Sequence, residues 1–175
     1  MKLVKPSWKY RAEVSDFIYE MKNDVCPFNA EFPAYMGGGF RALMDKISSG
    51  TERETYWIST AGGILGAVLL RRISDTDKAV EAGGNIGFVV RPSARRKGVA
   101  FYAVSAALPM LAGDMDTAVI GAYESNIASV RTIEKAVKAF GGGLIKKIWT
   151  EDEDNPLTKS GVWDIYYAVN CNQKQ

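Results

Sequence analysis

Apolar residues recur along this chain at two periods, and the change from one to the other organises it. From Ser7 to Asn23, the residues Tyr10, Val14, Phe17, Ile18 and Met21 fall three or four apart with charges between them. That spacing predicts an amphipathic helix. Ser7 is placed to cap it, although no Glu or Gln follows three residues later to complete a capping box. Residues 2 to 5 read as a short strand stopped by Pro6, and Phe40, Leu43, Met44 and Ile47 mark a second, shorter helix ending at SSG. Between the two helices, VCPFNAEFPAYMGGG is expected to be a loop.

From Glu54 the period becomes two. ETYWIST and GILGAVLLRR predict adjacent antiparallel strands joined at Ala61-Gly62-Gly63. DTDKAVEAG reads as a polar loop and NIGFVV as a third strand. Gly98 to Leu108 predicts a small-residue helix that Pro109 should kink or end. TAVIGAY is another strand. Asn126 to Phe140 predicts a helix with Ile127, Val130, Ile133, Val137 and Phe140 on one face, closed by Gly141-Gly142-Gly143. LIKKIWT and GVWDIYYAV are the last strands, separated by the acidic turn EDEDNP. In the second of them Trp163, Ile165, Tyr167 and Val169 alternate onto one face. Trp57 and Trp163 are expected in the core. The order β-α-α-β-β-β-α-β-α-β-β describes an α/β (α+β) fold with a mostly antiparallel central sheet and about four helices.

Composition narrows the class. A chain of 175 residues, 47% apolar and 24% charged, is long enough for a real core in one domain. Its formal net charge of +2 does not argue for nucleic acid. The absence of histidine removes His-based triads and imidazole shuttles. Cys26 and Cys171 form no metal-ligand pattern and read as free thiols in a reducing compartment. No metal site is expected. No secretory signal or apolar membrane span is visible, so a soluble, cytoplasmic protein without a membrane partner is expected.

Charge becomes informative locally. VRPSARRKGVA, residues 90–100, places Arg91, Arg95, Arg96 and Lys97 where an apolar strand turns into a helix. A helix start offers unpaired N–H groups and the positive end of the macrodipole, and Gly98 allows close approach to the backbone. A solvated surface turn and a seat for a pyrophosphate both fit these residues.

Arg95-x-x-Gly98-x-Ala100, following an apolar strand and opening a helix, resembles the signature of the Gcn5-related N-acetyltransferase (GNAT) family. GGNIGFVVRPSARRKGVA is similar to a bacterial acetyltransferase subgroup in which a strand runs into RPS-x-RRKG. YESNIASVRTIEKAV resembles the family segment in which an asparagine opens a helix carrying S-x-x-x-IEK. The resemblance covers residues 54–147. It implies one acetyltransferase domain over 1–175, with acceptor-side helices in 1–53, an acetyl-CoA core in 54–147 and C-terminal strands in 148–175. It implies that GFVV splays from TAVIGAY, with the pantetheine arm in the gap against backbone of Phe88, Val89 and Val90. Arg95 would open the pyrophosphate loop, whose N–H groups run from Arg96 through Lys97, Gly98 and Val99 to Ala100. Asn126 and Ser129 would border the cofactor. The resemblance also allows a homodimer paired through sheet edges.

Acetyl transfer from acetyl-CoA to a small-molecule or protein amine needs a neutral amine, a polarised carbonyl and proximity. Neutralising an amine of pKa near 10.4 at pH 7 costs about 4.6 kcal/mol. Glu124, at the end of TAVIGAY, is the first candidate base, and a carboxylate capping the next helix is the alternative. Glu81 reads as a loop residue. The Val90 N–H could serve as an oxyanion donor. Many family members carry a tyrosine acid where this chain has Ile133, which leaves Tyr123 as a substitute. An acyl-CoA-binding sensor with little catalysis is the competing reading. MGGGF lacks the Lys-Ser/Thr of a phosphate loop and is not expected to bind nucleotide.

Overall fold

The computed structural model describes residues 1–24, 26, 39–49, 53–153 and 158–172. Most of VCPFNAEFPAYMGGG, and residues 154–156 of EDEDNP, lie outside them. The described residues cluster into two compact units, Met1–Leu70 with Phe88–Ala103, and Arg71–Gly87 with Val104–Gln175.

The first unit is built on the two periods. Strand β1 (Lys2–Val4) leads into a 3₁₀ turn at Trp8–Tyr10 and then helix α1 (Arg11–Lys22). Ser7 is extended and makes no side-chain cap bond, so the first turn winds as 3₁₀, with the Tyr10 N–H on the Ser7 carbonyl. Val14, Phe17, Ile18 and Met21 of α1 are all buried, as are Phe40, Leu43 and Met44 of α2 (Gly39–Ser49). They pack with Trp57, Ile64, Ala67 and Val89 in one apolar cluster. Trp57 belongs to β2 (Glu54–Thr60), Ile64 and Ala67 to β3 (Gly63–Leu70), and Val89 to β4 (Ile86–Val90). The hairpin at Ala61-Gly62-Gly63 forms as predicted. A bulge in the β2–β3 pairing, where Ile58 faces Gly66 but Ser59 faces Ile64, resets the alternation near this turn. The sheet order is β1-β2-β3-β4, which makes β4 an edge strand.

In the second unit, β5 (Thr117–Tyr123), β7 (Val162–Asn170) and β6 (Gly142–Thr150) form an antiparallel sheet with β7 in the middle. Helix α5 (Ile127–Phe140) buries Ile133, Ala136 and Phe140, whereas Ile127 is exposed. The predicted apolar face was therefore misplaced at its N-terminal end. Gly141, at φ 91°, ends this helix, and β6 begins at Gly142, where a Cβ would lie 2.0 Å from the Ala168 carbonyl oxygen.

Three further expectations need correction. DTDKAVEAG contains a helix, α3 (Thr76–Glu81), capped by the Asp75 carboxylate accepting the Lys78 N–H at 2.9 Å. It is held by burial of Ala79 and Val80, two apolar residues too few to reveal a period. Helix α4 (Val99–Leu111) runs through Pro109. The proline sits in the last turn, where only the bond to the Ser105 carbonyl is given up, and Ala107, Leu108 and Leu111 are fully buried. Trp163 is 43% exposed and stacks edge-on against Trp149 at 5.3 Å, outside any core. Trp57 is buried as expected.

Asn85 ties the second unit together. Its side chain donates to the carbonyls of Arg71 and Ile73 at 3.0 and 2.8 Å and accepts the Val119 N–H at 2.7 Å. Removing a buried amide with three partners strands all three. Asn85→Ala should lower stability by about 3 kcal/mol in urea unfolding.

Candidate functional site

The end of β4 presents backbone in a regular way. The Arg91 N–H bonds to the Leu65 carbonyl at 2.9 Å, and the Asn85 carbonyl accepts from the Arg71 N–H at 2.8 Å. Odd-numbered residues of β4 therefore face β3. Phe88 and Val90, half a pleat away, direct their N–H and C=O groups off the opposite edge of the sheet.

After β4 comes a 3₁₀ turn, Pro92–Ala94, and then the basic loop. Two of its four cations are held by acids at the end of α1. The Glu20 carboxylate accepts from Arg91 Nε at 2.5 Å, from the Ser93 N–H at 2.5 Å and from the Ser93 hydroxyl at 3.0 Å. Asp24 takes both terminal nitrogens of Arg95, one of them at 3.0 Å, while Arg95 Nε reaches the Val90 carbonyl at 3.1 Å. Asp24 raises the Arg95 guanidinium above its ordinary pKa and keeps it charged. The side chains of Arg91 and Arg95 thus tie the loop to its neighbours through two acids that the sequence did not single out. Glu20 and Asp24 were missed because 71 or more residues separate them from their partners and they look like solvated charges on a helix and just past its end.

The remaining two cations are exposed. Arg96 has φ 60°, the one positive value among the described non-glycine residues, and Gly98 follows at φ 77°. Such turns line up successive N–H groups in a concavity suited to an anion. Among the described residues, the N–H groups of Arg96, Lys97, Gly98, Val99 and Ala100 have no hydrogen-bond acceptor. A Cβ built on Gly98 meets nothing within 4 Å, so the surface above it is open. Lys97 reaches back to the Ser93 carbonyl at 2.8 Å.

In the second unit, Asn126 caps α5, its side-chain oxygen accepting the Ser129 N–H at 3.3 Å. Glu124 pairs with Lys147 at 2.5 Å, and its N–H bonds to the Trp163 carbonyl. Tyr123 is half-buried and lies opposite Asp164 in the β5–β7 register. Asp164 was not anticipated, because it reads as the polar side of an alternating strand. Burial pushes its carboxyl above the ordinary range against one bond from the Thr150 hydroxyl at 2.6 Å. Ile133 is fully buried and has no proton to offer. Burial pushes the Cys171 thiol up to about 11, so it is protonated and a poor nucleophile. Glu81, expected in a loop, ends α3. Of the MGGGF segment, Gly39 and Phe40 begin α2 and the rest lies outside the described residues. Among the described residues, no group of three or more potential ligands could hold a metal, and no helix is long and apolar enough to cross a membrane.

Comparison with known proteins places this arrangement. The model of the acetyltransferase (GNAT) domain matches residues 16–136. No curated protein matches the chain by sequence. Among solved structures, the microcin C7 self-immunity acetyltransferase MccE, in complex with acetyl-CoA and AMP, superposes at TM-score 0.69 and 16% identity. That alignment covers 96% of this chain and 91% of MccE. The ribosomal-protein α-N-acetyltransferase RimL, in complex with coenzyme A, superposes at TM-score 0.70 and 13% identity over 96% of this chain and 92% of its own. A point variant of the Vibrio cholerae spermidine N-acetyltransferase SpeG gives TM-score 0.63 and 12% identity, covering 98% and 95%. These likenesses establish a shared fold.

The Glu20 contacts carry a pH dependence. Partial burial pushes the carboxyl up, but the Ser93 N–H and hydroxyl and the Arg91 guanidinium outweigh it, so the net shift is downward. A carboxylate with a depressed folded pKa stabilises the fold above its unfolded pKa and loses that contribution as pH falls through the folded value. Glu20→Gln should therefore flatten the decline of melting temperature below about pH 5, as a thermal-melt series against pH would show.

Proposed function

The chain belongs to the GNAT acetyltransferase family, and from that premise we propose that it is a single-domain enzyme moving the acetyl group of acetyl-CoA directly to a primary amine. Membership of the family makes it an acyl-CoA-dependent acetyltransferase. The observation that supports its mode of cofactor binding is the run of five unpaired N–H groups from Arg96 to Ala100. We assign the pyrophosphate to these groups, with the Arg96 and Lys97 cations beside them. The pantetheine amides would pair with the outward backbone groups of Phe88 and with the Val90 carbonyl, which also accepts from Arg95 Nε at 3.1 Å, as an added strand pairs with a sheet edge. The side chain of Val89 is buried in the core and supports the strand from behind. Asn126 and Ser129 complete the proposed cofactor residues, as the family resemblance implies.

The chemistry needs little covalent help. Proximity of two bound substrates supplies much of the rate, and we assign the outward Val90 N–H to polarise the thioester carbonyl. The amine nitrogen attacks the carbonyl carbon, the C–S bond breaks and the thiolate leaves. We assign Glu124 to accept the ammonium proton, which requires it to exchange its Lys147 partner for the incoming amine. Tyr123 is assigned to return a proton to the thiolate. Neither cysteine takes part. A groove of about 460 Å³ lined by Asp16, Tyr19, Glu20, Asn23, Arg91 and Pro92 borders α1, with Tyr19 74% exposed. A carboxylate and an open aromatic face suit a cationic acceptor. MccE, RimL and SpeG are acetyltransferases, with spermidine and a ribosomal protein among their acceptors.

The buried Ile133 and the Glu124–Lys147 pair favour one other reading, an acyl-CoA-binding sensor without efficient catalysis. Thiol release from acetyl-CoA, followed across polyamines, amino acids, amino sugars and peptide amines, separates the two. Amine-dependent release supports the enzyme. Binding of acetyl-CoA with no release for any amine supports the sensor. Gly98→Val should weaken coenzyme A binding by more than about tenfold, since a β-branched residue disfavours φ 77° and stands where the phosphates would approach. The fold should survive, because the added Cβ meets nothing beyond its chain neighbours within 4 Å and the φ strain is confined to an exposed turn. Unchanged affinity in calorimetry would remove the proposed seat.

A further inference from the structure

We propose that Glu20 and Asp24 are positioning residues for the cofactor's pyrophosphate: by binding Arg91, Ser93 and Arg95 they hold the turn in its anion-accepting shape before the ligand arrives. The inference rests on the acetyl-CoA reading above and concerns residues outside the motif that suggested it.

The geometry is specific. Glu20 accepts three donors from two residues of the turn, and one of them is the Ser93 backbone N–H at 2.5 Å. Asp24 grips Arg95 through both terminal nitrogens, and the same guanidinium reaches the Val90 carbonyl at 3.1 Å. Arg91 adds a bond from its terminal nitrogen to the Ile64 carbonyl at 3.1 Å. The turn is thus pinned at residues 91, 93 and 95 to α1, β3 and the end of β4. The next residue is Arg96, which adopts the unfavourable φ of 60°. A non-glycine residue keeps such a conformation only where its surroundings determine it, and the pinning directly before it provides that.

Electrostatics alone would argue against this design. Two carboxylates beside an anion site repel the anion, and removing either should improve phosphate binding. They are useful there only if shape outweighs charge. By engaging Arg91 and Arg95 they also keep those guanidinia from folding over the N–H groups of residues 96 to 100. A turn ordered in advance loses less conformational freedom when ligand binds.

The opposing signs make the test sharp. Coenzyme A is titrated calorimetrically into the full chain and into Asp24→Asn, Glu20→Gln and Ser93→Ala, with melting temperatures measured alongside. Asp24→Asn and Glu20→Gln should each weaken binding about tenfold, although each removes a negative charge near an anion. Ser93→Ala, which loses only the hydroxyl bond, should weaken it by about twofold to threefold. Affinity that is unchanged in folded variants, as a merely fold-supporting role requires, or that becomes tighter, as charge alone requires, overturns the proposal. If Asp24→Asn does not fold, the other two variants decide. Failure of the unaltered chain to bind coenzyme A brings down the acetyl-CoA reading and this inference with it. Binding by the unaltered chain with no loss in the variants overturns the inference alone.

Discussion

Four cations within seven residues, Arg91 to Lys97, repel one another and would splay an unsupported turn. The structure meets this constraint by pairing the first two cations with two acids at the C-terminal end of α1, Glu20 in its last turn with Arg91 and Asp24, just beyond the helix, with Arg95. Much of the proposed chemistry depends on that arrangement. With Arg91 and Arg95 engaged, the basic character offered outward comes from Arg96, Lys97 and a row of backbone donors. Those donors are directional and fixed, which suits a pyrophosphate better than four mobile charges would.

The edge position of β4 supplies the second element of the site. Strand geometry commits alternate residues to the neighbouring strand, so the bonds of Arg91 and Asn85 toward β3 leave Phe88 and Val90 pointing outward. An edge strand is ordinarily a liability. Here its short length, five residues, and the turn that follows make it suitable for an extended, amide-bearing ligand arm. In the second unit the polar groups at the end of β5 are more evenly shared. Glu124 pairs with Lys147, while Asp164 lies opposite Tyr123 in a setting that favours its protonated form.

Much of this was legible in the chain itself, for physical reasons. The buried stripe Val14-Phe17-Ile18-Met21 and the hairpin at Ala61-Gly62-Gly63 follow from local period and turn chemistry. α3 did not, because a six-residue helix carried by a cap and two buried residues leaves no period. The continuation of α4 through Pro109 reflects burial overriding propensity. Trp163 is a surface residue despite its alternation with Ile165, because alternation identifies a face without showing what covers it. At the site, the positions of Gly98 and the helix start were readable. The ion pairs of Arg91 and Arg95 were not, since they depend on carboxylates far away in sequence.

The central claim is that the N–H groups of Arg96 to Ala100 hold the pyrophosphate of acetyl-CoA. Residue-resolved amide hydrogen exchange, with and without saturating coenzyme A, examines those groups themselves. Fast exchange at residues 96–100 is expected in the free protein and marked slowing in the complex, with little change on α2 or β6. Coenzyme A that binds while those amides continue to exchange at their free rate would contradict that claim.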